Sequence, residues 1–255
     1  MISSMKLVLG AAILYHAHGM ETPSSILADF APGTASLFNN MKTPASIIAG
    51  AMVPLGILAP LKFEADEDDG RFAIFLRRSY PIVGVMSLCS ELLSVMWATV
   101  AVNQLTETKI EKATSVWHLI QRDFEIPWVA TNAHFVMGMM GFMWVIASKA
   151  YFFAAKGPIG ASAAGIAFSS LLLITSIVNR GIAAGGGEDG LSFGSNVFYL
   201  FRTYANLLVR RACSLDTFGP LELSAMGIAL FSVLNGARCI LCDAPKEQKL
   251  KGSKK

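Results

Sequence analysis

Four stretches of this chain, residues 81–103, 127–148, 157–179 and 219–237, are apolar runs broken by charge only at Glu91 and Glu222. A hydrocarbon core of about 30 Å takes about 20 apolar residues of helix at ~1.5 Å rise per residue. Each run is long enough, and backbone groups in lipid must be satisfied within their own segment, so each reads as a transmembrane helix. A fifth run, TPASIIAGAMVPLGILAPL at 43–61, is long enough but carries Pro54 and Pro60. Proline removes a backbone donor and kinks a helix, though membrane helices tolerate it better than soluble ones.

Composition agrees. The 255 residues are 53% hydrophobic and 15% charged, against about 25% charged in ordinary globular proteins. Net charge is only +3, and much of it sits in the C-terminal KEQKLKGSKK. Such a tail suits anionic headgroups or orientation, and no aromatic-interleaved basic patch points to nucleic acid.

Lysine plus arginine number 2 before residue 43, 4 in 62–78, 3 in 104–126, 2 in 149–156, 4 in 180–218 and 6 after 237. Five spans divide these 12 against 9. Four spans, with 43–61 dipping into the membrane, divide them 14 against 7, so charge asymmetry leans to four. Both arrangements put the basic C-terminus on the positive side.

The remaining segments fill in the architecture. LVLGAAILY followed by AHG resembles a secretory h-region with a cleavage site, or an N-terminal anchor. TETKIEKATSVWHLIQRDFE is polar and partly helical in pattern. KAYFFAAKG is short enough to make the spans beside it an antiparallel hairpin. GIAAGGGEDGLSFGS is a glycine-rich loop. NVFYLFRTYANLLVRR sets Phe201, Tyr204 and Leu208 on one face and its arginines mostly elsewhere, an amphipathic helix along the membrane surface. Trp128 and Trp144 bracket one span as an aromatic belt. Gly157, Ala161, Gly165 and Ser169, like Ala225 and Ala229, repeat the small-xxx-small spacing that lets membrane helices approach closely. The expectation is an all-α integral membrane bundle of four transmembrane helices, a fifth at 43–61, and one interfacial amphipathic helix. Residues 1–42 form an N-terminal segment, 43–243 one membrane domain and 244–255 a basic tail.

Polar groups inside lipid mark the candidate site, because each is costly there. Glu91 sits near the middle of its span, and His134 lies about a turn from the middle of the next, in NAHFVMGMMGFMW. Antiparallel neighbours would bring them to similar depth, where a His–Glu hydrogen bond would satisfy both. The functional alternatives are a ligand role for His134 or a proton path through Glu91. Asn132, Asn235 and Glu222 are further candidates, with anchoring at helix ends the plainer reading of Asn235 and Glu222. His16 and His18 alone make a weak metal site. The four cysteines, including CILC at 239–242, have neither a second CxxC nor a nearby histidine and read as small packing residues. With no P-loop, GxSxG, HExxH or second intramembrane histidine, no catalytic machinery is visible, and the chain is read as a non-enzyme.

VPLGILAPLKFEADEDDGRFAIFLRR and, from Glu222, ELSAMGIALFSVL resemble two segments of the light-harvesting antenna proteins of algal plastids. LADFAPG at 27–33 resembles the phenylalanine-containing cleavage motif of proteins sent to complex plastids. Together these cover about a fifth of the chain. Ala225 and Gly227 stand where the antenna helix carries Asn and Arg, so the crossing Glu–Arg pair is not available. What the resemblance implies is therefore not an antenna but a non-catalytic linker subunit of a photosystem–antenna supercomplex in the thylakoid membrane. Its partners would be lipids and photosystem core or antenna proteins. It would bind chlorophyll and carotenoid, with His134 the ligand of a chlorophyll magnesium and Glu91, Asn132, Asn235 and Glu222 secondary ligands. The competing expectation is a small proton-coupled carrier using Glu91 and His134.

Overall fold

A computed structural model describes residues 27–59, 61, 69–154, 157–184, 196–213 and 219–242, the side chains of 179–184, 222 and 241–242 excepted. The N-terminal apolar stretch with His16 and His18, the glycine-rich loop and the basic tail lie outside the described residues.

Seven helices make up the described chain. They are α1 (Ala31–Met52, continued by a π-helical turn Val53–Leu58), α2 (Arg71–Glu107), α3 (Val116–Asp123), α4 (Glu125–Phe153), α5 (Gly157–Ala184), α6 (Val197–Cys213) and α7 (Pro220–Cys242). No strand occurs among the described residues. Ala28 and Ala113 form one isolated antiparallel bridge, which ties the approach to α1 onto the loop before α3.

Five of these helices are long and apolar enough to cross a membrane: Ala31–Leu58, Arg71–Glu107, Glu125–Phe153, Gly157–Val178 and Leu223–Ile240. The segment that charge asymmetry leaned against is thus a full-length helix. It starts well before residue 43, where Asp29 Oδ1 accepts the Ala31 N–H at 2.9 Å and a proline occupies the first turn. Both devices satisfy or remove donors that a helix start leaves free. Pro44 sits inside α1, and Pro54 falls in the wider π turn. There the Tyr80 hydroxyl donates to the Leu55 carbonyl, one of the acceptors left open where the helix ends.

The α1 turn crosses α2 at two glycines. A side chain on Gly84 would meet Gly56 at 3.7–3.9 Å. At the opposite end of the bundle the core is aromatic. Phe38 of α1 is fully buried and stands edge-on to Phe124 and Trp128, with ring centroids 6.4 and 5.4 Å away. Leu119 and Ile120 of α3 close this layer, their helix started by Ser115, whose hydroxyl accepts the His118 N–H at 3.0 Å. The α4–α5 link turns at Gly157, whose φ of +63° is a backbone state that glycine adopts without strain.

The amphipathic segment becomes α6, but its apolar face is spent on protein. Val197, Leu200 and Leu207 are buried, and Phe201 and Tyr204 pack on the aromatic core. α7 stands at the other extreme. None of its described side chains from Leu223 to Ile240 is buried, and its described contact with the bundle runs to α2, near Ile82 and Gly236.

Truncating Phe38 to alanine empties the centre of the aromatic layer. A loss of about 3–5 kcal/mol is expected, read as a lowered unfolding midpoint in detergent, whereas Phe198→Ala, on an exposed ring, leaves that midpoint in place.

Candidate functional site

The buried polar side chains gather on the seam between α2 and α4. On α2 the buried positions Ser87, Glu91, Ser94, Ala98, Ala101 and Leu105 recur at alternating spacings of four and three. On α4 the buried positions Thr131, His134, Gly138, Gly141, Val145 and Ser148 do the same. A seven-residue repeat of this kind keeps two helices in continuous contact at a small left-handed crossing angle. Here the repeat is built from small residues, so the backbones come close.

Two interhelical hydrogen bonds fix the register. The Ser87 hydroxyl donates to the Gly138 carbonyl at 2.5 Å, and the Ser94 hydroxyl donates to the Thr131 carbonyl at 2.9 Å. Four residues on from Ser87, and four back from Gly138, that register sets Glu91 opposite His134. At one end of the seam the Trp144 indole N–H donates to Ser79 Oγ at 3.1 Å.

Despite this register, Glu91 and His134 are not hydrogen-bonded to each other. Glu91 is 0% exposed, and its carboxyl group lies over Gly138, where a Cβ would stand 2.5 Å from Oε1 and 2.6 Å from Cδ. Among the described residues neither carboxyl oxygen has a hydrogen-bond partner. His134, 7% exposed, turns the other way: Nε2 shares a hydrogen bond of 2.9 Å with the Tyr204 hydroxyl of α6, and the two rings meet edge to face at 5.2 Å. Its Nδ1 and the Thr131 hydroxyl are buried without partners. Burial also pushes the Tyr204 phenol up to about 12, because the phenolate would lose hydration.

The other candidates do not join this group. Asn132 is half-buried and its amide donates to the Trp128 carbonyl at 2.8 Å, one turn back on its own helix. Asn235 is exposed on α7, and the side chain of Glu222 lies outside the described residues. Cys89, Cys213 and Cys239 are free and exposed rather than packed, and the side chain of Cys242 lies outside the described residues. Among the described residues no cluster of three or more His, Cys, Asp or Glu stands ready for a metal ion.

These positions do not fit His134 as a magnesium ligand. Coordination takes a free imidazole nitrogen and a flat apolar space beside it. Nε2 is engaged by Tyr204, and Nδ1 is enclosed. The space over Gly138 is filled by Glu91 and admits no ring edge.

Sequence reading missed Tyr204 as the partner of His134 and missed Ser87, Ser94, Gly138 and Gly141 as seam residues. The signal for the seam was present as the three-and-four spacing of small residues within 87–105 and 131–148. The signal for Tyr204 was not, since it depends on how α6 docks. Comparisons with protein-family models, with curated proteins and with solved structures find no match to this chain.

Three outcomes follow for this site. Glu91→Met replaces an unpartnered buried polar group with an apolar one of similar length and is expected to stabilise the fold by about 1–3 kcal/mol, seen as a raised melting temperature. Gly138→Leu forces the seam apart and lowers it. Tyr204, protonated in the folded state well above its usual range, contributes stability in full below pH ~10, and that contribution fades as pH rises towards 12. Tyrosinate absorbance should therefore contain a late-titrating step whose amplitude falls by one tyrosine in Tyr204→Phe.

Proposed function

We propose that the protein is a non-catalytic integral membrane scaffold, a helical subunit that seats other membrane subunits against its outer face. The observation that carries this reading is the direction of the small residues on α5. Its face towards the bundle is marked by the buried Gly160, Ala167 and Leu171, while Gly157, Ala161, Gly165 and Ser169 are exposed. Among the described residues the small-xxx-small stripe is therefore left uncovered. Lipid tails do not require small residues, whereas close helix–helix approach does. Ala225 and Ala229 lie outward on α7 in the same way.

Glu91 and His134 favour this reading over a proton-coupled carrier. Both are sealed from solvent, one under a glycine and the other behind a tyrosine, which is the arrangement of a packed seam. The finer assignment, a linker in a photosystem–antenna membrane with chlorophyll and carotenoid nearby, rests on the resemblance of residues 53–78 and 222–234 to antenna segments. In that assignment pigment is held with the partner subunits rather than on His134.

Ala161→Leu combined with Gly165→Leu is the direct test. Native gels of gently solubilised membranes should show the wild-type chain in a large complex. The double variant should run as free subunit with its melting temperature unchanged. A wild-type chain that migrates alone ends the scaffold reading. Absorption of the native complex checks the finer assignment: bands of chlorophyll and carotenoid are expected, and a colourless complex removes the photosynthetic setting while leaving the scaffold.

A further inference from the structure

The polar seam is not the only built feature of the bundle. Where the π turn of α1 meets the last turns of α4, an open-sided cavity of about 540 Å³ is lined by Leu55, Leu61, Val145, Ile146 and Phe152, with Lys149 as the one charged residue in its wall. That volume falls within the range of small-ligand pockets, roughly 300–1,000 Å³. Two contacts keep it in shape. The Tyr80 hydroxyl holds the Leu55 carbonyl, and the Phe152 ring lies under the Arg77 guanidinium at 4.4 Å.

Charge singles out Lys149. Arg77 is committed to Asp69, at 2.8 Å from Nε to Oδ2. No acidic side chain lies within ion-pairing distance of Lys149 among the described residues. Its flexible stem can follow the apolar wall while the ammonium reaches the headgroup level. The position in the membrane points the same way. The cavity sits where α1 and α4 end and α2 begins. With five spans this end faces the same side as the basic C-terminal tail, the side holding 12 of the 21 lysines and arginines. Positive loops mark the leaflet side where anionic lipids gather.

We infer that this cavity is a binding site for an anionic membrane lipid, one acyl chain lying in the apolar space between α1 and α4 and the acidic headgroup pairing with Lys149. The site is independent of the outward stripe on α5. The lipid lies against both helices at this end, so it acts as a filler as well as a ligand.

Native mass spectrometry of the full chain in detergent, with added phosphatidylglycerol or phosphatidylcholine, tests this. The wild type should retain phosphatidylglycerol in preference. Lys149→Gln should reduce that retention about fivefold, the worth of one lysine near an anionic surface, without changing retention of phosphatidylcholine, and Lys149→Arg should restore it. Ala150→Phe, which fills the cavity from its wall, should lower retention of both lipids. The inference is overturned by equal retention of the two lipids in the wild type, by Lys149→Gln binding phosphatidylglycerol as the wild type does, or by inorganic phosphate competing as well as the lipid. A melting temperature for each variant separates lost binding from lost folding, and the arginine variant decides the matter if the glutamine variant is unstable.

Discussion

Close approach of α2 and α4 is the constraint on which the rest of the structure depends. Within a bilayer, helices gain little by leaving lipid for protein, since both surroundings are apolar. What holds them is dense packing and hydrogen bonds that lipid cannot offer. Ser87 and Ser94 supply two such bonds to carbonyls across the seam, and beside Ser87 the approach is open because Gly138 and Gly141 present no side chain there. A leucine zipper of the same repeat would hold the helices farther apart and leave both hydroxyls short of their acceptors.

That geometry also explains the disposition of the two costly side chains. Opposite Gly138 there is room for a long, flat group lying along the helix, and Glu91 occupies it. His134, in register with Glu91, finds that side of the seam filled and turns its Nε2 to α6. Tyr204 then links an otherwise peripheral helix to the centre of the bundle, while Val197, Leu200 and Leu207 seat its apolar face. The amphipathic helix is docked through the Tyr204–His134 contact and the buried Val197, Leu200 and Leu207.

The membrane architecture was legible in the sequence because it follows from length and charge alone, which a one-dimensional reading captures. The hairpin of α4 and α5 and the helix at 197–213 came from loop length and periodicity in the same way. The fate of 43–61 was less so: the positive-inside count weighed Lys42 and the loop arginines, whereas the helix start is set locally, by Asp29 and the proline of the first turn. Pairing of polar groups was the least legible. Equal depth for Glu91 and His134 does not specify rotamers, and in the structure the direction of each side chain is set by what else fills the seam. Small-residue stripes were visible, but nothing in their spacing tells which stripe a chain uses on itself. Gly160 and Ala167 proved to be the inner face of α5, and Gly165 the outer.

The outward stripe then stands as a feature that the chain's own stability leaves unexplained. A helix face that meets only lipid is well served by leucine, isoleucine and phenylalanine, and α5 has these at Ile166, Phe168, Leu172, Leu173 and Ile177, all exposed. Placing Ala161, Gly165 and Ser169 on the same surface costs helix propensity at Gly165, about 1 kcal/mol relative to alanine in water, and leaves all three exposed among the described residues. The inner seam demonstrates what small residues at this spacing accomplish in this fold, which is to bring a second backbone near enough for packing and hydrogen bonding to replace lipid. Repeated on the surface, the same arrangement has a physical use only when another helix comes to lie there.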